Sequence, residues 1–148
     1  MYQRILVATD GSQLSGRAVK SAVDLALLCK ATLFIFSVAQ HQSASYFEDA
    51  LAHDLDEMEA ERGRQKQRAQ QLVDTARQTA LSQGLSTVES VVSEAYLVGE
   101  AIVSAAQDHG CELIVMASHG RRGFARLLMG SETLHVLTHS QTPVLVLR

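Results

Sequence analysis

RILVATDGSQLSGRAVKSAVDLALLCKATLFIFSVA, residues 4–39, sets two apolar runs on either side of one helical pattern. The first run, RILVAT at 4–9, is continuous rather than alternating, as expected of a strand buried on both faces. It stops at Asp10-Gly11-Ser12, three residues of turn chemistry. Ala18, Val19, Ala22, Leu25, Ala26 and Cys29 then recur at helical spacing, which predicts a helix over 15–30. TLFIFSVA at 32–39 is a second strand, rich in aromatic and β-branched residues.

The same alternation continues along the chain. Residues 40–54 have no clean period and read as a long loop, a place where partner specificity could lie. Residues 55–84 form a charged amphipathic helix, with Gly63 as a point where it could break. STVESVVSE at 86–94 alternates as a half-buried strand, and 98–110 is a helix with Gly110 as its C-cap. CELIVMAS at 111–118 is a strand, GSETLHVLTHS at 130–140 a helix, and PVLVLR at 143–148 the last strand. Strands alternating with helices, and strands this continuously apolar, predict a doubly wound α/β fold: a parallel sheet with helices on both faces. No repeat or linker divides residues 1–148, so one domain is expected.

Composition narrows the function classes. The 148 residues carry 13 basic and 16 acidic side chains, a net charge of -3, which is not the basic footprint of a nucleic-acid binder. No apolar run approaches a membrane span and no secretory leader is visible, so a cytoplasmic protein with no membrane partner is expected. Cys29 and Cys111 are too few for a disulfide framework and read as buried free thiols. The six histidines make no standard metal spacing, although His135 and His139 stand four apart on one helix.

In a parallel sheet the ligand crevice lies at the carboxyl ends of the strands, where the strand order reverses. Two loops qualify, DGS after the first strand and SHG after the fourth. The second runs on as HGRRGFARLLMGS, residues 119–131, with nine residues between Gly120 and Gly130. Gly130-Ser131 opens a helix, whose first N–H groups lack partners and carry the positive end of the dipole. A phosphate there would accept those bonds, with a hydroxyl from Ser131 and countercharge from Arg121, Arg122 or Arg126. The plainer reading is an ordinary helix start with Ser131 as N-cap and the arginines solvated. Glu132 speaks for it, because a carboxylate at that point would repel a phosphate. Asp10 is equally two-sided: a ribose or adenine contact, or an Asx turn, with Ser12 or Ser15 as helix cap. Neither G-x-G-x-x-G nor G-x-x-x-x-G-K-[ST] occurs.

RILVATDGSQLSGRAVKSAVDLA near the start and ELIVMASHGRRGFARLLMGSETLHVLTHSQTPVLVLR at the end resemble the universal stress protein superfamily, A-type domain. Its nucleotide-binding members carry G-x-x-G, nine residues, then G-[ST]. Here the matching residues are Ala117, Gly120, Gly130 and Ser131, so alanine replaces the first glycine. The resemblance implies a five-stranded parallel sheet in the order 3-2-1-4-5. It also implies an ATP site, with or without Mg²⁺. Asp10 would lie at the adenosine end, Val38 against adenine, Met116 and Ala117 as the floor, and Gly120, Gly130 and Ser131 on the phosphates, helped by Arg121 and Arg122. It further implies a homodimer through the last strand, whose apolar edge would otherwise invite aggregation. The expectation is a nucleotide-binding stress-response dimer. One alternative is a family member without nucleotide that acts as a dimeric protein-interaction module, supported by Ala117 and Glu132. Another is a slow nucleotide hydrolase, which would need a placed base, metal ligands or a lysine that the loop does not clearly offer.

Overall fold

The computed structural model describes residues 1–41, 55–120 and 129–148. The elements run β1 (Arg4–Ala8), α1 (Gln13–Cys29), β2 (Thr32–Gln40), α2 (Leu55–Ser82), β3 (Val88–Ala95), α3 (Val98–Asp108), β4 (Leu113–Ala117), α4 (Ser131–His139) and β5 (Val144–Leu147). The five strands form one parallel sheet in the order β3-β2-β1-β4-β5. The chain first steps outward from β1 to β3, then returns to β4 and leaves in the opposite direction. Because right-handed crossovers are nearly obligatory, that reversal puts α1 and α2 on one face and α3 and α4 on the other.

Two apolar layers follow from the alternation of side chains along the strands. Ile5 and Val7 of β1, Leu33 and Ile35 of β2, and Leu113 and Val115 of β4 pack with Ala18, Ala22, Val23 and Val73 beneath α1 and α2. Leu6, Phe34, Phe36, Ile114 and Met116 point the other way and pack with Ile102, Ala105 and Val136 beneath α3 and α4. All five residues of β4 are buried, which explains why LIVMA shows no alternation in the sequence.

Strand lengths prepare the site. β1 ends at Ala8, opposite Phe36, whereas β2 and β3 stay paired as far as Gln40 and Ala95. β2 therefore projects past the central strand and forms a wall above its carboxyl end. Val38 stands on that wall and is partly buried against the α3/α4 layer.

Local signals hold in most places. The C-cap of α3 is His109 rather than Gly110; Gly110, one residue further, has φ 58° and donates its N–H to Gln107 O at 3.0 Å, the left-handed position that glycine accepts without strain. α1 begins at Gln13, not at Ser15, with Ser12 as its N-cap. α2 runs unbroken through Gly63, so the possible break there does not occur. The irregular stretch beyond His41, up to residue 54, lies outside the described residues.

Cys111, 8% exposed, stands among the α3/α4 core residues. Burial pushes its thiol up to about 11; nearby Arg4 opposes the shift and Glu112 adds to it. An unfolded cysteine ionises near pH ~8.5, so between these values the unfolded chain gives up a proton that the folded chain keeps. The contribution is intact below the unfolded pKa and is lost as pH rises toward the folded one. Thermal unfolding between pH 8 and 11 should therefore show a steeper alkaline decline for the native protein than for Cys111→Ala. Parallel curves would contradict this placement of the thiol.

Candidate functional site

The loops that follow β1 and β4 meet where the strand order reverses. A Cβ built on Gly120 would run into the Asp10 carboxylate, so glycine is what lets the two loops approach. Asp10 also braces its own turn, its Oδ1 accepting from the Ser12 N–H at 2.9 Å. The Asx turn weighed in the sequence is thus present, while the same carboxylate faces Gly120. Gly11 supports the turn with φ 77°. The Ser12 hydroxyl accepts from the Ser15 N–H at 3.2 Å, and Ser15 Oγ donates to Ser12 O at 3.0 Å. The start of α1 is thereby closed by its own residues.

The start of α4 is anchored differently. Gly130 is its N-cap, extended at φ -63° and ψ 152°, and makes no side-chain cap bond. This corrects the reading of Ser131 as N-cap: Ser131 is the first helical residue. The Gly130 N–H donates to Ser118 O at 2.8 Å. The Thr133 hydroxyl, in a residue 2% exposed, is shared between Ala117 O at 2.9 Å and Ser118 O at 3.1 Å. A Cβ on Gly130 would lie 3.3 Å from both His119 Cα and Ser118 O, tighter than side chains ordinarily tolerate. His119 Nδ1 stands 3.0 Å from Ser118 Oγ. The helix therefore leads with the N–H groups of Ser131, Glu132 and Thr133, none of which has a carbonyl within the helix to bond.

The Glu132 Oε2 accepts from the Gly99 N–H, at the beginning of α3, at 2.7 Å. The carboxylate is thus bonded to the start of the neighbouring helix, while Glu132 also lines the cleft beside Ser131.

Asp10, Val38, Met116, Ala117, Gly120, Gly130 and Ser131 all line one cleft of about 940 Å³. That is the upper part of the ~300–1,000 Å³ range typical of small-molecule sites. Its base is apolar, with Phe36 and Met116, and its rim is polar. Arg121 and Arg122, with Arg126, lie outside the described residues. Sequence reasoning missed Gln40, Arg68 and Thr133, which line the same cleft. Arg68 comes from α2, which the sequence showed only as a charged amphipathic helix. Thr133 carried a usable signal, since it lies three residues before Val136 on the inward face of α4. His135 and His139 stack with ring centroids 4.1 Å apart. Among the described residues no group of three or more potential ligands could hold a metal ion.

The fold and its loops define a doubly wound α/β protein with a cleft at its topological switch point. The model of the universal stress protein family matches residues 1–148, and the chain belongs to that family. It is 29% identical to universal stress protein YxiE of Bacillus subtilis strain 168 over 153 aligned positions, covering 100% of each chain. The solved structure of MJ0577 of Methanocaldococcus jannaschii shares the fold, with TM-score 0.81 at 24% identity over 99% of this chain and 96% of that one. A universal stress protein crystallised in complex with cAMP superposes with TM-score 0.72 at 25% identity, over 99% and 97% of the two chains.

Replacing Thr133 with valine keeps the shape but removes the bonds to Ala117 O, at the end of β4, and to Ser118 O just beyond it. Urea unfolding should show a loss of about 1–3 kcal/mol, the range for stranding buried polar groups. A loss below about 0.5 kcal/mol would mean that the anchor is unimportant.

Proposed function

We propose that this protein binds an adenine nucleotide, ATP with or without Mg²⁺, in the switch-point cleft, and works as a regulatory stress-response protein. The observation that carries the reading is the start of α4. Ser131, Glu132 and Thr133, whose leading N–H groups have no helical carbonyl partner, line a cleft in which a side chain at Gly120 would crowd the Asp10 carboxylate and one at Gly130 would crowd His119 and Ser118. Such a helix start favours an anion through both its unpaired donors and its dipole. The bond from Gly130 N–H to Ser118 O gives that glycine a steric role, and phosphate donation falls to Ser131 and the residues after it. The cAMP bound by one family member supports the same class of ligand.

The remaining roles follow from chemistry. The Asp10 carboxylate, an acceptor with several lone pairs, is suited to ribose hydroxyls even while it holds its turn. Val38 and Met116 offer apolar surface to the adenine ring, and Ala117 completes the floor. Arg121 and Arg122 would add countercharge to the phosphates. When present, Mg²⁺ would arrive on the nucleotide's own phosphates.

Calorimetric titration of the nucleotide-stripped protein with ATP should show saturable binding at about one site per chain. Gly120→Val should abolish it in a folded protein, because the added side chain would push into the Asp10 carboxylate. Unchanged affinity in that variant would sink the assignment.

The dimer belongs to the same proposal. β5 is the edge strand beside β4, and Leu145 on it is 41% exposed, with Leu134 and Leu137 on adjacent α4 also exposed. Pairing with a second copy would cover these residues and the open strand edge. Val146 packs on the α3/α4 core, so Leu145 is the position to probe. Leu145→Asp should convert the protein to a monomer by sedimentation velocity without changing its circular dichroism. A sedimentation profile like the native one would rule this interface out.

A further inference from the structure

We infer that Glu132 is a positioning residue for the nucleotide site: by bonding the start of α3, its carboxylate fixes how α4 presents Ser131 and the leading N–H groups. The inference rests on the nucleotide reading above and adds a residue that the site's own loop does not reveal.

α3 lacks a cap of its own. Its N-cap is Leu97, an apolar residue that can make no side-chain bond to the orphan donors of the first turn. The N–H of Gly99, the second residue of the helix, is one that a local cap would ordinarily satisfy. Glu132 satisfies it from 33 residues away at 2.7 Å, a short bond to a charged acceptor. A second contact fastens the same two helices. A Cβ on Gly99 would lie 2.9 Å from His135 Cδ2 and 3.0 Å from His135 Cβ, so α3 and α4 approach to a distance that only glycine permits. Glu132 and Val98 also line the cleft, which puts this junction at the cleft wall.

The consequence is a division between two helix starts. The carboxylate answers the positive end of α3, while α4, held by Thr133 on its other side, keeps its own leading donors for an anion. A glutamate in the first turn of α4, which taken alone argues against a phosphate, becomes part of what aims the helix at one.

The test compares the native protein, Glu132→Gln and Glu132→Ala, with ATP affinity measured by calorimetry and Gly99 amide exchange measured by NMR. Glutamine keeps an acceptor oxygen, whereas alanine removes it. The expected result for Glu132→Ala is faster exchange at Gly99 and an affinity for ATP lowered by about tenfold. Glu132→Gln should stay within about threefold of the native affinity, and rescue by the acceptor alone would support positioning over charge. Equal or tighter binding by Glu132→Ala would overturn the inference, because the carboxylate would then be idle or repulsive. Loss in Glu132→Gln as large as in the alanine variant would overturn it too. No binding of ATP by the native protein would defeat the nucleotide reading and this role together. Slow Gly99 exchange, accelerated in Glu132→Ala, would then still establish the bond itself.

Discussion

The carbonyl of Ser118 receives two hydrogen bonds, from the Gly130 N–H at 2.8 Å and from the Thr133 hydroxyl at 3.1 Å. These bonds tie the first turn of α4 to the end of β4, so the chain that leaves the strand at His119 returns to the point of departure. α4 has only nine residues, shorter than the ~12–15 that even a favourable helix needs to persist alone in water. Its position therefore comes from tertiary contacts: the Ser118 and Ala117 carbonyls, the buried Val136 and the link from Glu132 to α3. Without them its leading N–H groups would have no defined direction, and a phosphate would meet a loose end.

The sheet supplies the other half of the arrangement. The two central strands end early, while β2 and β3 continue, so the cleft has a wall on one side and a helix start on the other. Glycine at 120 lets the loop after β4 come against Asp10 from the loop after β1. Asp10 is held in turn by the Ser12 N–H. The apolar base continues the α3/α4 core, and the polar rim is made of loop and helix-end residues. The proposed nucleotide would lay its flat ring against the first and its charged chain along the second.

Much of this was legible in the sequence because it depends on local periodicity. RILVAT, TLFIFSVA and LIVMA are strands for the same reason that they are buried on both faces, and Gly110, just past the His109 cap of α3, is left-handed as glycine allows. The strand order came from the family resemblance and agrees with the sheet. Gly63 left a break open, and the helix runs through it because one residue's propensity is weak evidence against the rest of α2. What could not be read were contacts between residues far apart in the chain. The partner of Glu132 is Gly99, and nothing near either residue announces the bond. Asp10 looked like a choice between a turn and a ligand contact, and the structure shows the turn while setting the same residue in the cleft. Gly130 looked like a phosphate donor, but its N–H is occupied by Ser118 O.

The central claim is that the start of α4 is where a nucleotide's phosphates rest. Titrating isotopically labelled protein with ATP and following the backbone amides by NMR tests it most directly. The account predicts saturable shifts that are largest at Ser131, Glu132 and Thr133, with a second group at Asp10 to Ser12 and at Gly120. Shifts confined to residues away from the switch-point cleft, or none that saturate, would contradict it.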